Sequence, residues 1–431
     1  MYYVIEAVGG VSLTAFLFRR IKFYFAYQIK NIDMKELNWK SSITRFLSAQ
    51  TISLFGSSIV QYAIIWHITL STSSGQMLMI STLCGFIPQI FISLFAGVWI
   101  DRYDRKRMII LSDSAIAIST LLLAIAFLTD HKNIWFLFIA LAVRSAGTGI
   151  QTPAVNAIIP QIVPQEQLMK INGINSTLSS MMIFLSPAIS GAVLSFASLE
   201  AILFIDVITA IIGVGITSTI YIKRLKIKAH QKKSSSLTEI KNGFSYLKEN
   251  LFIKRLLIYQ IIILFLISPS AFLTPLMVSR TFGQEVWKLT VSEMTYSLGM
   301  ILGGLLIASW GGFKKRMNTT MLAGAIYGLL MIGLGSAPIF LLYLFCNTLI
   351  GITAPCYNTP VTVSIQEQVP TELHGRIFSF MQIATSCALP FGMILFGPLA
   401  DTVPVQWVLI GCGTLIATFS LAVWKTHYFS E

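Results

Sequence analysis

The chain alternates between long apolar runs and short polar links over most of its 431 residues. A helix needs about 20 mainly apolar residues to cross the hydrocarbon core of a bilayer. Only 11% of the residues are charged, whereas soluble domains average roughly 25%. The sequence therefore predicts an all-α integral membrane protein with twelve transmembrane helices, at residues 44–70, 77–100, 108–129, 134–157, 171–197, 201–222, 254–279, 291–310, 317–335, 338–361, 377–400 and 405–425.

The basic residues are distributed unevenly between the two ends of these predicted spans. The links after even-numbered spans are rich in Lys and Arg, whereas the links after odd-numbered spans carry only Lys132, Arg280 and Lys288. Cytoplasmic loops of membrane proteins carry the excess of positive charge. The sequence therefore predicts a multi-pass protein of the cytoplasmic (plasma) membrane, with both termini and the long central link in the cytoplasm.

Several functional classes are excluded by the residue pattern. The formal net charge of +13 does not indicate a nucleic-acid partner, because the basic residues lie between apolar runs and not on one continuous surface. The five cysteines lie inside apolar runs without the spacing of a zinc site. The chain lacks the GxxxxGK[ST] pattern that binds nucleotide phosphates. We expect no metal, cofactor, disulfide framework or ATP-driven step, and no enzyme, since no catalytic constellation occurs in the links.

The long polar link at 223–253 divides the predicted spans into two groups of six. It begins with the basic run KRLKIKAHQKK and continues into an amphipathic helical pattern, typical of a segment lying on the inner leaflet. We therefore predict a six-helix bundle at 41–222, this cytoplasmic linker, a second six-helix bundle at 254–425 and a tail at 426–431. Residues 1–40 are predicted to form a cytoplasmic lead.

The first part of that lead, residues 1–33, is open to more than one interpretation. Residues 4–18 are apolar, which is short for a span, and Arg19 and Arg20 follow them. A signal peptide carries its charge before the apolar run instead. The segment is either an extension upstream of a start at Met34 or an interfacial helix. A thirteenth span, which would place the N-terminus outside, is the less favoured alternative.

The two groups of six spans share sequence elements at equivalent places. Thr152–Gly173, which ends the fourth span and runs into the fifth, contains Thr-Pro, then Val-Pro, an acid, Leu and Gly. Asn358–Ile377 repeats this order from the tenth span to the eleventh. The pair Lys106–Arg107 recurs as Lys315–Arg316 after the eighth span. Duplicated six-helix units are typical of transporters, in which two bundles expose a midplane site to each side in turn.

The link between the second and third spans carries the motif GVWIDRYDRKR, from Gly97 to Arg107. It resembles the signature Gly-x-x-x-Asp-Arg-x-Gly-Arg-Lys/Arg-Lys/Arg of the major facilitator superfamily, with Asp104 in place of the usual glycine. The resemblance covers residues 40–425 and implies that superfamily's fold, twelve helices in two six-helix bundles. The residues that match the signature are Gly97, Asp101, Arg102, Arg105, Lys106 and Arg107.

The same resemblance implies a role for this motif as a cytoplasmic gate. Asp101 would accept hydrogen bonds from a helix N-terminus or pair with a cation, and Arg105 would reach a carboxylate. These bonds would hold the two bundles together on the cytoplasmic side. A plain topology anchor, without a gating role, is the alternative.

A second motif, MIFLSPAISG, lies in the predicted fifth span from Met182 to Gly191. It resembles the antiporter motif Gly-x-x-x-Gly-Pro-x-x-Gly-Gly of the same superfamily. Small residues allow close helix packing and proline allows bending, which serves either antiport or ordinary packing with a kink. DRYDRKR, SPAISG and LHGRIFS most resemble the bacterial macrolide efflux proteins and related drug exporters. The antiporter-like residues are Ser186, Pro187, Ser190 and Gly191.

Arg144 lies about ten residues into the fourth span, where an ionised side chain is costly and is a functional candidate by default. Gly147 and Gly149 follow it, and we expect them to leave room for the guanidinium. Arg144 resembles the basic residue of the superfamily's helix 4 motif, which implies proton coupling or substrate orientation. A structural pair with a buried carboxylate is the alternative.

The proton carrier must be a carboxylate, because a guanidinium does not lose its proton in proteins. The candidates are Asp113 in the third span and Asp206 in the sixth. Alternatively, Asp113 serves the cytoplasmic gate and Asp206 forms a local structural pair. Three further acids lie at predicted span ends and are expected to be solvated: Glu200, Glu293 and Asp401.

The other polar residues of the spans are scattered amides and rings in apolar surroundings, which suit a lipophilic, amphipathic ligand. We expect a monomeric secondary exporter of drug- or macrolide-like compounds in the lipid bilayer, which works by alternating access and exchanges substrate for protons. A facilitator or proton symporter that imports a small metabolite is one alternative, and a transport-dead sensor is another. The cavity candidates, each of which could instead make only an interhelical hydrogen bond, are Gln50, Gln61, Gln151, Gln260, Asn347 and Tyr357.

Overall fold

The computed structural model describes residues 10–222, 250–369 and 374–426, and these are almost entirely helical. The side chains of residues 10–38, and a few others, lie outside this description, as do nearly all of the predicted linker and tail. The helices in the described ranges are α1 Gly10–Thr72, α2 Gly75–Arg102, α3 Arg105–Leu128, α4 Ile134–Ile162, α5 Leu168–Phe196, α6 Leu199–Thr219, α7 Leu251–Phe272, α8 Thr274–Thr281, α9 Val286–Trp310, α10 Arg316–Ser336, α11 Phe340–Gln368, α12 His374–Thr402 and α13 Val405–Lys425.

Most of the described helices are long and apolar enough to cross a membrane. Eleven meet this criterion, and α12 has 29 residues with an apolar second part, Cys387–Thr402. Large apolar side chains on these helices are exposed, among them Phe91, Leu111 and Leu341. A soluble protein rarely exposes so much apolar surface, whereas helices that contact lipid require it. The predicted all-α integral membrane fold is therefore confirmed.

Exposed aromatic side chains mark both ends of the helices. Trp135, Trp287 and Trp407 lie in the first turns of α4, α9 and α13. Tyr103 follows α2 and Trp310 ends α9, at the opposite end of the molecule. Tryptophan and tyrosine accumulate at the two membrane–water interfaces. We name these ends by the links that they carry, the α1–α2 end and the α2–α3 end.

Several predicted boundaries differ from the ends of the observed helices. The predicted span 254–279 is divided, because α7 ends at Phe272 and α8 begins at Thr274. The break coincides with Pro275 in the first turn of α8, whose ring removes an N–H that a continuous helix would use. The first helix does not begin at residue 44 either, since α1 extends back to Gly10, with Trp39–Thr72 as its candidate membrane span.

The helices pack in two groups, α1–α6 (the N-half) and α7–α13 (the C-half), with equivalent contacts in each. α2 packs on α4 as α9 packs on α11, and α3 packs on α4 as α10 packs on α11. α4 and α11 each have 29 residues and end alike, at Val163 and Val369, which both have φ −105° and ψ 135°. The repeat in the sequence therefore forms the same local structure twice.

The two halves meet mainly along two helix pairs, α2 with α12 and α5 with α9. Trp66 of α1 and Leu78 of α2 are buried in the hydrophobic core of the C-half. Near the α2–α3 end, by contrast, Ile100, Met108 and Ile158 belong to a core cluster formed by N-half residues. Every hydrogen bond between the halves that the structure describes lies at the α1–α2 end. The described contacts therefore join the halves at that end.

Candidate transport site and gates

A buried ion pair joins α4 to α6 inside the N-half. Arg144 is 4% exposed and Asp206 is fully buried, and Nη1 of Arg144 donates to Oδ2 of Asp206. Thr120 of α3 donates to the same oxygen at 2.8 Å, and Ser57 of α1 donates to Oδ1 at 2.7 Å. Nη2 of Arg144 donates to the Ser57 carbonyl at 2.9 Å. The pair thereby connects four helices.

The geometry of this pair fits both interpretations that the sequence left open. Taking two charges out of water is repaid only when the geometry is good and further hydrogen bonds satisfy both groups. Asp206 is satisfied by Arg144 and two hydroxyl donors, as in a structural pair. Nε of Arg144, however, is buried and has no hydrogen-bond partner among the described atoms. This N–H group is therefore available to a further acceptor, as substrate orientation requires.

Asp113 is a second buried carboxylate in the same half. It lies in the third turn of α3, is 4% exposed, and faces Gln50 of α1. Its Oδ2 has no hydrogen-bond partner, and neither has Nε2 of Gln50. The described ion pairs do not include Asp113. Asp113 is therefore a carboxylate in the membrane-spanning part of the protein without a described cation partner.

Gly147 and Gly149 do not make room for the guanidinium of Arg144, so this expectation is wrong. Instead they let α4 pack closely on two neighbours. A Cβ on Gly147 would lie 2.6 Å from a side chain of α3, and one on Gly149 would lie 2.8 Å from the carbonyl oxygen of Gln89 in α2. The backbone N–H of Gln89, which follows Pro88 in that helix, donates to Oγ of Ser145 at 3.0 Å.

The predicted gating motif lies at the α2–α3 end, where Asp104, Arg105 and Lys106 bond to backbone groups of the N-half. Asp104, which replaces the signature glycine, is the N-cap of α3 and accepts from the N–H groups of Lys106 and Arg107 at 3.0 and 3.3 Å. Arg105 donates to the Ala157 carbonyl of α4 at 2.6 Å. Lys106 donates to two carbonyls at the end of α6, both at 2.7 Å, where the helix dipole favours a cation.

These contacts lie within the N-half, so the gating role of the motif stays a prediction. In this conformation Arg105 and Lys106 connect α3 to α4 and α6. The side chains of Gly97, Asp101 and Arg102 lie outside the described part of the structure. The bond between Asp101 and a helix N-terminus therefore stays a prediction.

The antiporter-like motif lies where α5 meets α1 and α9. Oγ of Ser190 donates to a backbone carbonyl of α1 at 3.0 Å. A Cβ on Gly191 would overlap Thr290 of α9, so glycine permits the close approach of the two halves here. Ser186 is fully buried and its Oγ has no described partner, and Pro187 interrupts the hydrogen bonding of the helix backbone.

Asp401, at the end of α12, connects the halves at the α1–α2 end. Its carboxylate accepts from the N–H groups of Gly75 at 2.7 Å and Gln76 at 2.9 Å, and from Oγ of Ser74 at 2.8 Å. Arg280 of α8 donates to it at 2.8 Å. A carboxylate satisfies the unpaired N–H groups of a helix N-terminus and is stabilised by the helix dipole. We call Asp401, Arg280 and the first turn of α2 the α12–α2 latch.

Sequence reasoning missed this latch, and it misplaced two acids. Asp401 was expected to be solvated, but it is 28% exposed and has four donors. Glu293 was expected at a span end, but α9 begins at Val286, so that Glu293 lies two turns inside the helix and lines a cavity. Glu200 is 15% exposed and pairs with Lys132 at 3.7 Å. The first turns of α9 contain polar residues, so the hydropathy pattern predicted a later start, at residue 291, than the start at Val286.

Five of the six predicted cavity residues make hydrogen bonds to another helix. The sixth, Gln61 of α1, lies against α2 at Gly85. Interhelical bonding, the alternative stated for each of these residues, therefore accounts for much of their polar surface. The bonds run from Gln151 to Gln50 at 2.7 Å, from Tyr357 to Gln260 at 3.2 Å and from Asn347 to the Ser292 carbonyl at 2.7 Å.

The substitution Asp401→Asn is expected to weaken the α12–α2 latch. An amide keeps the shape of the side chain but loses the charge that faces Arg280 and the start of α2, and charge-assisted hydrogen bonds are about twice as strong as neutral ones. A loss of about 1 kcal/mol would raise the population open at this end about fivefold. Spin labels at Lys132 and Ser336, exposed residues of the two halves at this end, would report it as a longer distance.

The matched control for this experiment is Glu285→Gln. Glu285 is a carboxylate at the same end that pairs with Lys288 of its own half at 2.9 Å, and its substitution should leave the distance distribution unchanged. An unchanged distribution in Asp401→Asn, or an equal shift in Glu285→Gln, would contradict the latch.

Comparisons with known proteins agree with this architecture. The family model of the Major Facilitator Superfamily matches residues 46–392. Macrolide efflux protein A of Streptococcus pyogenes is 32% identical over 387 residues, which are 89% of this chain and 95% of that protein. Macrolide efflux protein A of Enterococcus faecalis is 30% identical over 319 residues, which are 74% of this chain and 99% of that protein.

A solved structure shares the fold at low sequence identity. The crystal structure of a bacterial homologue of the iron transporter ferroportin, in an inward-facing state, matches with a TM-score of 0.64 and 14% identity. The match covers 91% of this chain and 99% of that one. The sequence match over most of the chain and the shared fold lead to one conclusion. This chain belongs to the major facilitator superfamily of membrane transporters.

Proposed function

We propose that this protein is a secondary exporter that moves lipophilic, macrolide-like compounds out of the cell against an inward flow of protons. The observation that carries the proposal is the carboxylate of Asp113, buried in the N-half without a described cation partner and beside the Arg144–Asp206 network. An ionised carboxylate is expensive in that position. Asp113 is therefore suited to take up a proton and to release it when access changes.

Two observations support a lipophilic substrate. Two relatives that are at least 30% identical to this chain are macrolide efflux proteins. The predicted cavity residues also bond largely to one another or to the backbone, which leaves few polar groups for a strongly hydrated ligand such as a sugar. Export of amphipathic drugs is the function that best fits both.

The direction of transport follows from the proposed orientation. The α2–α3 end carries the basic motif and faces the cytoplasm in this proposal. The structure, joined at its α1–α2 end, then represents the state that receives substrate from the cytoplasm or the inner leaflet. Opening of the α12–α2 latch would release substrate outside. One chain supplies both halves, so we propose that the monomer in the plasma membrane is the transporting unit.

Everted membrane vesicles test this function directly. Respiration acidifies the vesicle interior, so an exporter driven by protons should accumulate radiolabelled erythromycin inside, and an uncoupler should release it. Vesicles without the protein are the control. If erythromycin only equilibrated across the vesicle membrane, with or without the uncoupler, the protein would be a facilitator. If erythromycin accumulated only when the outside of the vesicles was the more acidic side, the protein would be a symporter. Either result would overturn the proposal.

A further inference from the structure

The C-half contains a polar cavity that the proposed proton pathway does not use. Its volume is about 150 Å³, several times the 30 Å³ or so that one water molecule occupies in the liquid. It lies among α7, α8, α9, α10 and α11. The polar and aromatic residues that line it are Ser270, Thr274, Glu293, Tyr296, Tyr327 and Asn347.

Glu293 places a carboxyl group in this cavity, and no described basic residue pairs with it. The nearest basic residues in sequence are engaged elsewhere, Lys288 with Glu285 at 2.9 Å and Arg280 with Asp401 at 2.8 Å. The hydrogen bond from Lys288 lowers the pKa of Glu285, which lies outside the spans. No described ion pair or hydrogen bond involves the carboxylate of Glu293.

Four other polar residues of the cavity, Ser270, Thr274, Tyr327 and Asn347, already use their hydrogens in hydrogen bonds. Ser270 donates to the Ile267 carbonyl at 2.8 Å, so it accepts from the hydroxyl of Tyr327 at 2.7 Å. Thr274 donates to the Ser270 carbonyl at 2.6 Å. The amide nitrogen of Asn347 donates to the backbone of α9 at 2.7 Å, which leaves its oxygen for a ligand. The cavity therefore presents mainly acceptors and one carboxylate.

We propose that this cavity binds the protonated amine of a transported substrate, an inference that rests on the proposed export function and specifies its substrate class. An alkylammonium group supplies both the charge and the donors that the cavity lacks. The rings of Tyr296 and Tyr327 add cation–π attraction. The volume admits a dimethylammonium head but no complete drug molecule, so the lipophilic body of the substrate would lie outside the cavity.

The presence of a cavity beside Glu293 favours amine binding over proton transfer as the role of this carboxyl group. A proton carrier needs a carboxylate and a path for the proton, but neither aromatic walls nor space beyond a water molecule. Tyr62 of α1 lies within electrostatic range of Glu293, which places the carboxylate near the boundary with the N-half. The part of a substrate that extends out of the cavity would therefore lie close to the N-half.

The test is a binding measurement with a matched pair of ligands. Erythromycin carries a basic dimethylamino group, and its N-demethylated, N-acetylated derivative carries a neutral amide at the same place. Purified protein in nanodiscs should bind the amine at least tenfold more tightly than the amide. Glu293→Gln should remove this preference by weakening only the amine, and Glu293→Asp should restore it in part. Glu285→Gln, the control, should bind as the wild type does.

Three results would overturn the inference, and all are distinct from a failure of export. The first is equal binding of amine and amide by the wild-type protein. The second is a preference that survives in Glu293→Gln, and the third is an equal loss for both ligands in a Glu293→Gln variant that unfolds at the wild-type temperature. Binding needs no proton gradient. If the protein kept its preference for the amine but did not transport erythromycin uphill in vesicles, the export proposal would therefore be wrong and the amine site would stand.

Discussion

Replacing Arg144 by Ala is expected to abolish export and to destabilise the protein. The substitution leaves Asp206 fully buried without its cation, with only Ser57 and Thr120 as donors. Breaking a buried ion pair by removing one partner costs about 3–5 kcal/mol, which is a large part of the stability of a typical protein. Erythromycin accumulation in everted vesicles and thermal unfolding of the purified variant measure the two effects.

A double variant separates a structural role of this pair from a functional one. Arg144→Met combined with Asp206→Leu removes both charges at similar volume, a change that is often neutral or stabilising. We expect the thermal stability to return and export to stay absent, because coupling or substrate orientation needs the charges. If export returned as well, the pair would be structural only. Lys132→Gln, which removes a long pair between the exposed Lys132 and Glu200 at the protein surface, should have little effect on either measurement.

Replacing Asp113 by Asn is expected to uncouple transport from protons without preventing transport. The amide fits beside Gln50 but cannot carry a proton between the two sides of the membrane. A one-unit pH gradient coupled to one proton supports about tenfold accumulation, and we expect the variant to lose this factor. Exchange of labelled for unlabelled erythromycin across the vesicle membrane, which needs no net proton movement, should continue near the wild-type rate.

The control for this variant is Asp130→Asn, since Asp130 is 91% exposed in the link between α3 and α4. It should accumulate erythromycin as the wild type does. Wild-type accumulation in Asp113→Asn would remove Asp113 from the coupling reaction. Loss of exchange together with accumulation would assign Asp113 to the structure of the N-half.

The sequence predicted the helices well because hydropathy acts locally. The hydropathy of the residues in α3 or α6 is enough to identify each as a span. Pro275 is also present in the sequence, and it explains the break between α7 and α8. The repeat also gave the relation between α4 and α11, which end in the same backbone conformation. These features depend on residues that are close together in the chain.

The sites depended instead on contacts between distant parts of the chain. Arg144 and Asp206 are separated by 62 residues, and sequence alone could name both without showing that they pair. The separation between Asp401 and Gly75 is 326 residues. An acid at the end of one helix becomes a latch only when another helix begins beside it. Glu293 required an accurate helix start, which the polar first turns of α9 concealed.

The bond between Gln89 and Ser145 has a mechanical consequence for the molecule. α2 begins in the latch at one face of the membrane and ends within the predicted gating motif at the other, with Pro88 interrupting its backbone midway. The backbone N–H of Gln89, next to Pro88, donates a hydrogen bond to Ser145, the residue that follows Arg144. Any tilt of α2 must therefore either carry the charged centre of α4 with it or break that bond. α2 is thus the helix that links the latch at one end and the gating motif at the other to the buried Arg144–Asp206 pair.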